Sequence, residues 1–398
     1  MLSEKYKMKF DDFKLSNDTL AKIRELKFTE PTQIQEESIP AIMNGMDVIG
    51  ESATGSGKTL AFGAGIVEHS VPKHGVQALV LTPTRELAEQ VKTMLKQLSS
   101  KLHIMAVYGG VGIEPQIKNL RVADVVVATP GRLLDHLERR TINLDKVKLL
   151  VLDEADHMLD MGFIEDVERI ITKCPTNRQT LFFSATMPSE VKRLAQKYMK
   201  EPLKVSAKKM VDPTKLTQVY YDVQRNVKLS LLTHLLQKED RGLVMVFCNT
   251  RKTVDFVAKT LKVNGIKSIA IHGGFTQNKR NKSLEMFNDG KFGVLVCTDV
   301  AARGLHIDNV SHVYNYDIPK SPKEYVHRIG RTARAGEQGQ VINLLCDYDH
   351  DNFGRVKSEY REFEINKTQT PELSRIKIAR VVASNQHRGR SRRPRFSH

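Results

Sequence analysis

Short apolar, β-branched runs alternate with helix-patterned segments along most of the chain, and this alternation most constrains what it can fold into. "ALVLTP", "VADVVVATP", "KLLVLDEAD" and "LFFSAT" occupy the first half, and "LVMVFCNT", "SIAIHGG", "FGVLVCTDV" and "VINLLCD" the second. Helical patterns such as "ELAEQVKTMLKQL" and "TVDFVAKTLKVN" separate them. Strands that are apolar throughout belong to parallel sheets covered by helices on both faces. The polar residues stand where the runs stop: Thr82-Pro83, Thr129-Pro130, Asp153, Ser184, Asn249-Thr250, His272-Gly273 and Thr298-Asp299. Ligands of such folds bind beyond the C-terminal ends of the strands.

A chain of 398 residues exceeds one ordinary core. "SAKKMVDPTKLTQ", residues 206–218, has lysines, a proline and little apolar content, and reads as a linker. The expectation is two α/β domains, residues 1–205 and 219–362, followed by a basic, flexible tail over 363–398. The four cysteines are scattered without a C-x-x-C pair, which argues against a disulfide framework and a zinc site. No apolar run approaches the roughly 20 residues that span a bilayer. The N-terminus "MLSEKYKMKFDDF" lacks the apolar stretch of a secretory signal. A cytoplasmic protein is expected. Sixty-two basic against 46 acidic residues give a formal charge of +16, which favours a polyanionic partner. Charge alone leaves RNA, DNA and a membrane surface open.

The strongest local signal is "SATGSGKT": Ser52, Ala53, Thr54, Gly55, Ser56, Gly57, Lys58 and Thr59. Its glycines let backbone N–H groups approach phosphates, Lys58 can reach the β- and γ-phosphates, and Thr59 can ligate magnesium. Ser52 stands where the usual P-loop has glycine. A plain glycine turn is the competing reading. In P-loop enzymes an acid ending a neighbouring apolar strand holds the magnesium and an adjacent glutamate can polarise the attacking water. Asp153 fits the first role and Glu154 the second, so a nucleoside triphosphate with Mg2+ is expected, though the P-loop does not say which nucleotide.

"DEAD" at 153–156, with "PTREL" at 83–87, "TPGR" at 129–132 and "SAT" at 184–186, resembles a DEAD-box ATP-dependent RNA helicase. "VFCNT" at 246–250, "HGG" at 272–274, "TDVAARG" at 298–304 and "HRIGRTAR" at 327–334 extend the resemblance over roughly residues 10 to 345. It implies two tandem RecA-like domains that close over ATP and RNA, and an RNA-stimulated ATPase. It also implies an adenine site in "KFTEPTQIQ", where Phe28 packs on the base and Gln35 bonds its edge, with Phe10 as the upstream aromatic. Lys27 stands where the family usually has glycine. Ser184 and Thr186 would meet Asp156 and couple nucleotide state to RNA binding. Arg328 and Arg331, three apart on a helix, would project to one side as arginine fingers, with Arg334 tying the interface. Gly304 and His306 would lie near the nucleotide; position 306 usually carries an acid that approaches the ribose, and a histidine can still bond a hydroxyl. His157, outside the tetrad, has no expected role.

For RNA the resemblance points to Pro83, Arg85, Gly109, Gly110, Thr129 and Arg132 in the first domain and Gly273, Thr298 and Arg303 in the second, with Gln277 and Arg280 from a weaker motif. Glycines and threonines suit close approach to a phosphate backbone, which positions a strand without reading its bases. The expected partner is therefore RNA, single-stranded or duplex, without sequence specificity. Six arginines after residue 379 can add RNA affinity. A DNA-directed helicase and a non-enzymatic RNA clamp are the rivals.

Overall fold

Two seven-stranded sheets, all pairs parallel, form the body of the chain. The structure is a computed structural model and describes residues 8–52, 55–207, 213–238, 242–302, 307, 310–332 and 338–379. The first sheet comprises β1 (Val48–Glu51), β2 (Ala78–Leu81), β3 (Ile104–Val107), β4 (Val125–Ala128), β5 (Leu149–Asp153), β6 (Gln179–Ser184) and β7 (Leu203–Ser206). The second comprises β8 (Leu216–Asp222), β9 (Leu243–Phe247), β10 (Ser268–Ile271), β11 (Val294–Cys297), β12 (Val310–Asn315), β13 (Gly339–Leu345) and β14 (Ile365–Lys367). Helices cover both faces, as the apolar runs require. In β5, Leu149 and Val151 enter one core while Leu150 and Leu152 enter the core on the opposite face, the two-residue alternation of a strand.

The strand orders are β3-β4-β2-β5-β6-β1-β7 and β10-β11-β9-β12-β13-β8-β14. Adding seven to each index of the first yields the second, so the domains are topological repeats. The P-loop follows β1, and the corresponding turn after β8 reads "VQRNV", without a glycine. Lys228 opens the next helix, Lys228–Lys238, as Lys58 opens Lys58–His69. Its Nζ, however, is already bonded to Asp349 Oδ2 at 2.7 Å. Among the described residues, only the first domain keeps at this position a loop with the glycines needed to wrap a phosphate. No described helix is long and apolar enough to cross a membrane.

Two expectations are corrected at the domain ends. Residues 216–218, read as linker, begin β8, where Leu216 is buried. Residues 363–379, read as flexible tail, are partly built in. Ile365–Lys367 pairs with β8, and Leu373 and Ile376 pack on the core of the second domain. Isolated apolar residues in a basic stretch carry no periodicity, so their burial is invisible before the fold exists. The remaining tail arginines lie outside the described residues.

A chain ended at Glu362 loses these contacts and uncovers the β8 edge. Its second domain should unfold at lower urea, with a loss on the order of 3 kcal/mol from re-exposed apolar surface. An unchanged urea midpoint would show that the strand and its apolar extension contribute nothing.

Candidate nucleotide and nucleic-acid site

Sheet order sorts the motifs. At the C-terminal rim of the first sheet, β5, β6 and β1 stand side by side and carry Asp153, Ser184 and the P-loop. The neighbouring β3, β4 and β2 lead into Gly109-Gly110, Thr129 and Pro83-Arg85. One half of the rim collects the nucleotide residues and the other the RNA residues.

In the P-loop, Gly55 and Gly57 have φ of +84° and +92°, a region that glycine enters without steric cost. At Gly57 a Cβ would also stand 2.3 Å from Gln35 Nε2. Gln35 Nε2 donates to the Gly57 carbonyl at 3.0 Å, while its Oε1 accepts from Thr32 N–H at 2.9 Å. The Thr32 hydroxyl donates to the Ser56 carbonyl at 2.7 Å. The segment expected to read adenine thus also fastens the P-loop, and the Gln35 amide retains a second N–H and a second lone pair for a base. Phe28 is half-buried at the edge of the core. Phe10 is 6% exposed and packs edge-on against Phe13 in the core. Lys58 Nζ donates to the Ser52 carbonyl at 3.0 Å and the Ser52 and Ser56 hydroxyls pair at 2.8 Å. Thr59 occupies the first turn of the helix. Ala53 and Thr54 lie outside the described residues.

Asp153 is buried, and its Oδ1 has no hydrogen-bond partner. Burial pushes its carboxyl up to about 7 against the opposing pull of Lys58, with Glu154 and Asp156 adding to the rise. An orphaned, desolvated carboxylate oxygen suits a hard divalent cation, so Asp153 with the Thr59 hydroxyl fits magnesium. Glu154 follows at φ +55°, in the left-handed region, at the turn from β5 into the helix Ala155–Asp160. Such a backbone in a non-glycine residue costs on the order of 1–3 kcal/mol. Burial works to raise its carboxyl, but His157, Lys58 and Arg331 outweigh burial and hold it down at about 2. Asp156 meets the two hydroxyl residues as predicted. Its Oδ2 accepts from Thr186 Oγ1 at 2.8 Å and from Thr186 N–H at 3.1 Å, and its own N–H donates to Ser184 Oγ at 3.1 Å. Burial raises the Asp156 carboxyl, yet the charges of His157, Lys323 and His327 and the Ser184 bond carry it below the usual carboxylate range.

Around the RNA half, Arg85 lies across Gly110, where a Cβ would stand 1.9 Å from Arg85 Nη1. Both Nη atoms of Arg132 donate to the Val111 carbonyl at 3.2 Å. The two arginines thereby converge on the Gly109–Val111 loop. Gly273 faces open space, and Thr298 precedes the helix Asp299–Ala302. Gln277 and Arg280 have a partner the sequence does not announce. Gln277 Nε2 donates to Glu86 Oε1 at 2.7 Å and Arg280 Nη2 is 3.1 Å from the same oxygen. They bridge the domains through a buried acid. Glu86 sits inside the quoted "PTREL", but an acid in a first helical turn reads as a helix-dipole partner, and nothing local marks it as a bridge.

Arg328 is a further correction. It is 1% exposed and points into the second domain, where Nε and Nη2 bond the two carboxylate oxygens of Asp299 at 2.6 and 2.7 Å. Nη2 also reaches Asn249 Oδ1, and Nη1 reaches Asn315 Oδ1. The helix Pro322–Ile329 ends before Gly330, so Arg331 lies beyond it and the three-residue spacing no longer places both arginines on one side. Arg331 is the one whose charge is felt at Glu154. Arg303, Gly304, His306 and Arg334 lie outside the described residues. Two further residues cross the cleft unannounced by the sequence: Lys323 Nζ stands 3.5 Å from Asp156 Oδ2, and His327 Nδ1 stands 3.0 Å from His157 Nε2.

These features define a two-domain P-loop nucleoside triphosphatase of RecA-like architecture with the cleft closed. Residues 32–194 match the DEAD/DEAH box helicase family and residues 227–336 match the helicase conserved C-terminal domain. The chain belongs to the DEAD/DEAH box helicase family. It is 46% identical over 353 residues to the ATP-dependent RNA helicase CshA of Limosilactobacillus reuteri, covering 86% of this chain and 71% of that protein. It is 44% identical over 374 residues to the DEAD-box ATP-dependent RNA helicase CshA of Bacillus subtilis (strain 168), covering 92% and 74%. The structure of S. cerevisiae Dbp5 bound to RNA and ADP BeF3 superposes with a TM-score of 0.83 at 31% identity, covering 91% of this chain and 96% of that one.

Replacing Arg328 by alanine should destabilise the second domain by roughly 3 kcal/mol, because the partly buried Asp299 and the side chains of Asn249 and Asn315 lose the cation they share. Lysine should not rescue it, lacking the planar fork. Thermal and urea unfolding measure the effect; normal stability with lost turnover would return Arg328 to a catalytic role.

Proposed function

We propose that the chain is an ATP-dependent RNA helicase: an RNA-stimulated ATPase that holds RNA by its backbone and separates short duplexes locally as the cleft closes and reopens. The observation that carries this reading is one continuous rim bearing both the P-loop with its acid pair and the arginine-glycine loops, each half bridged to the second domain. Lys58 trades the Ser52 carbonyl for the β- and γ-phosphates, and the P-loop N–H groups cradle them. Phe28 and Gln35 hold adenine, with Phe10 supporting that wall from the core. Thr59 and Asp153 would hold magnesium, which neutralises phosphate charge.

Burial opposes ionisation of Glu154, but His157, Lys58 and Arg331 favour its carboxylate form, and its contribution is to orient and polarise water for in-line attack on the γ-phosphorus. The products are ADP and phosphate. Arg331 stabilises the charge on the transferring phosphoryl group, as an arginine finger does. On the RNA side Pro83, Arg85, Gly109, Gly110, Thr129 and Arg132, with Gly273, Thr298 and Arg303, contact phosphate and sugar. Gln277 and Arg280 act through Glu86 to hold the cleft shut beside the strand. Asp156, Ser184 and Thr186 carry nucleotide state toward the RNA half through the bond to Lys323. Two domains, a linker between them, and a cytoplasmic location complete the reading.

ATPase rates without nucleic acid, with single-stranded RNA and with single-stranded DNA test it. RNA stimulation well above DNA stimulation is expected. Equal rates would mean a DNA-directed or indiscriminate enzyme, and absent turnover a clamp. Glu154→Gln should keep ATP and RNA binding while turnover falls by roughly 10²-fold or more. Unaltered turnover in that variant would remove Glu154 from the reaction.

A further inference from the structure

We infer that His157 is a positioning residue that holds the Glu154 carboxylate through one ring nitrogen and ties it to the second domain through the other, so that Glu154 is locked in place only when the cleft is closed. This rests on the proposed role of Glu154 in orienting water.

His157 Nδ1 lies 2.9 Å from Glu154 Oε2, and His157 Nε2 lies 3.0 Å from His327 Nδ1. The two imidazoles meet edge to face, with centroids 4.5 Å apart and planes at 86°, which lets the nitrogens align. An ionised Glu154 offers only lone pairs, so His157 Nδ1 must carry the proton of the first bond. Nε2 then accepts from His327 Nδ1–H when the ring is neutral and donates to His327 when it is charged. Either way one bond crosses between domains, and cleft opening breaks it. The backbone N–H of His157 donates to Asp156 Oδ1 at 3.1 Å, which fixes the main chain from which the ring projects.

The arrangement answers a specific problem at Glu154. Its left-handed backbone sets the carboxylate at a turn, and no hydrogen bond from its side chain caps the helix it opens. A side chain with several rotatable bonds in that position needs an external restraint, and misplacing a water-orienting group by about 1 Å can cost on the order of 10²-fold in rate. Oε2 is committed to the imidazole, leaving Oε1 for the water. His157 and His327 are both buried in the closed state, where hydrogen bonds to a charged group are stronger than in water.

Steady-state ATPase assays of the full chain with saturating RNA test this. His157→Leu removes both bonds and should lower kcat by ~10-fold or more while KM for ATP and for RNA stays within about twofold, since only the orientation of the water-activating group is lost. His157→Asn keeps an N–H near the Nδ1 position but cannot reach His327. It should recover most of the loss, to within ~3-fold of wild type, and match His327→Leu. Combining His157→Asn with His327→Leu should produce no further fall, because both remove the same cross-domain bond. A wild-type kcat in His157→Leu would overturn the inference. So would a His157→Asn no better than leucine, or a double variant whose losses multiply. Melting midpoints identify a variant that fails to fold; if leucine does, the asparagine variant and the cycle with His327 decide. Failure of the underlying function would look different, as wild type without RNA-stimulated turnover.

Discussion

Parallel pairing is the constraint from which the rest of the molecule follows. Because every strand in each sheet runs the same way, all their C-terminal ends open onto one rim, and residues distant in sequence become neighbours there. Lys58 opposes the rise of the Asp153 carboxyl, ninety-odd positions away, only because β1 and β5 flank β6. The same geometry gathers Arg85, Gly110 and Arg132 around one loop. Each sheet repeats the other's strand order, yet the turn after β8 lacks the glycines that the turn after β1 carries.

Electrostatics explains why that site needs the second domain. Three acids are buried within four positions at the end of β5, and water cannot stabilise them there. Lys58 supplies one cation from the same domain. Arg331, His327 and Lys323 bring positive charge or hydrogen bonds from the other. Nucleotide binding and domain closure are thus linked through a shared need for countercharge, while Glu86 makes a matching bridge at the RNA end with Gln277 and Arg280.

Much of this was legible in the sequence because its signals are local. The apolar runs disclosed two parallel α/β units, "SATGSGKT" its phosphate loop, and "DEAD" with "SAT" the contact of Asp156 with Ser184 and Thr186 that the structure contains. Errors arose where a side chain's direction depends on where an element ends. Arg328 and Arg331 were placed on one helix face, but the helix stops between them. Gln277 and Arg280 meet Glu86 across the cleft, which nothing near them in the sequence reveals. Phe10, the aromatic upstream of the adenine segment, spends its ring on core packing.

The sequence by itself determined the fold class, the phosphate loop and the acids that face it, since backbone conformation and burial pattern are properties of short segments. Only the tertiary structure decided which residues meet across the cleft. His157, idle beside its tetrad, acquires two partners there, one of them 170 positions away. Such a contact is set by how two folded domains dock, and no run of neighbouring residues encodes that.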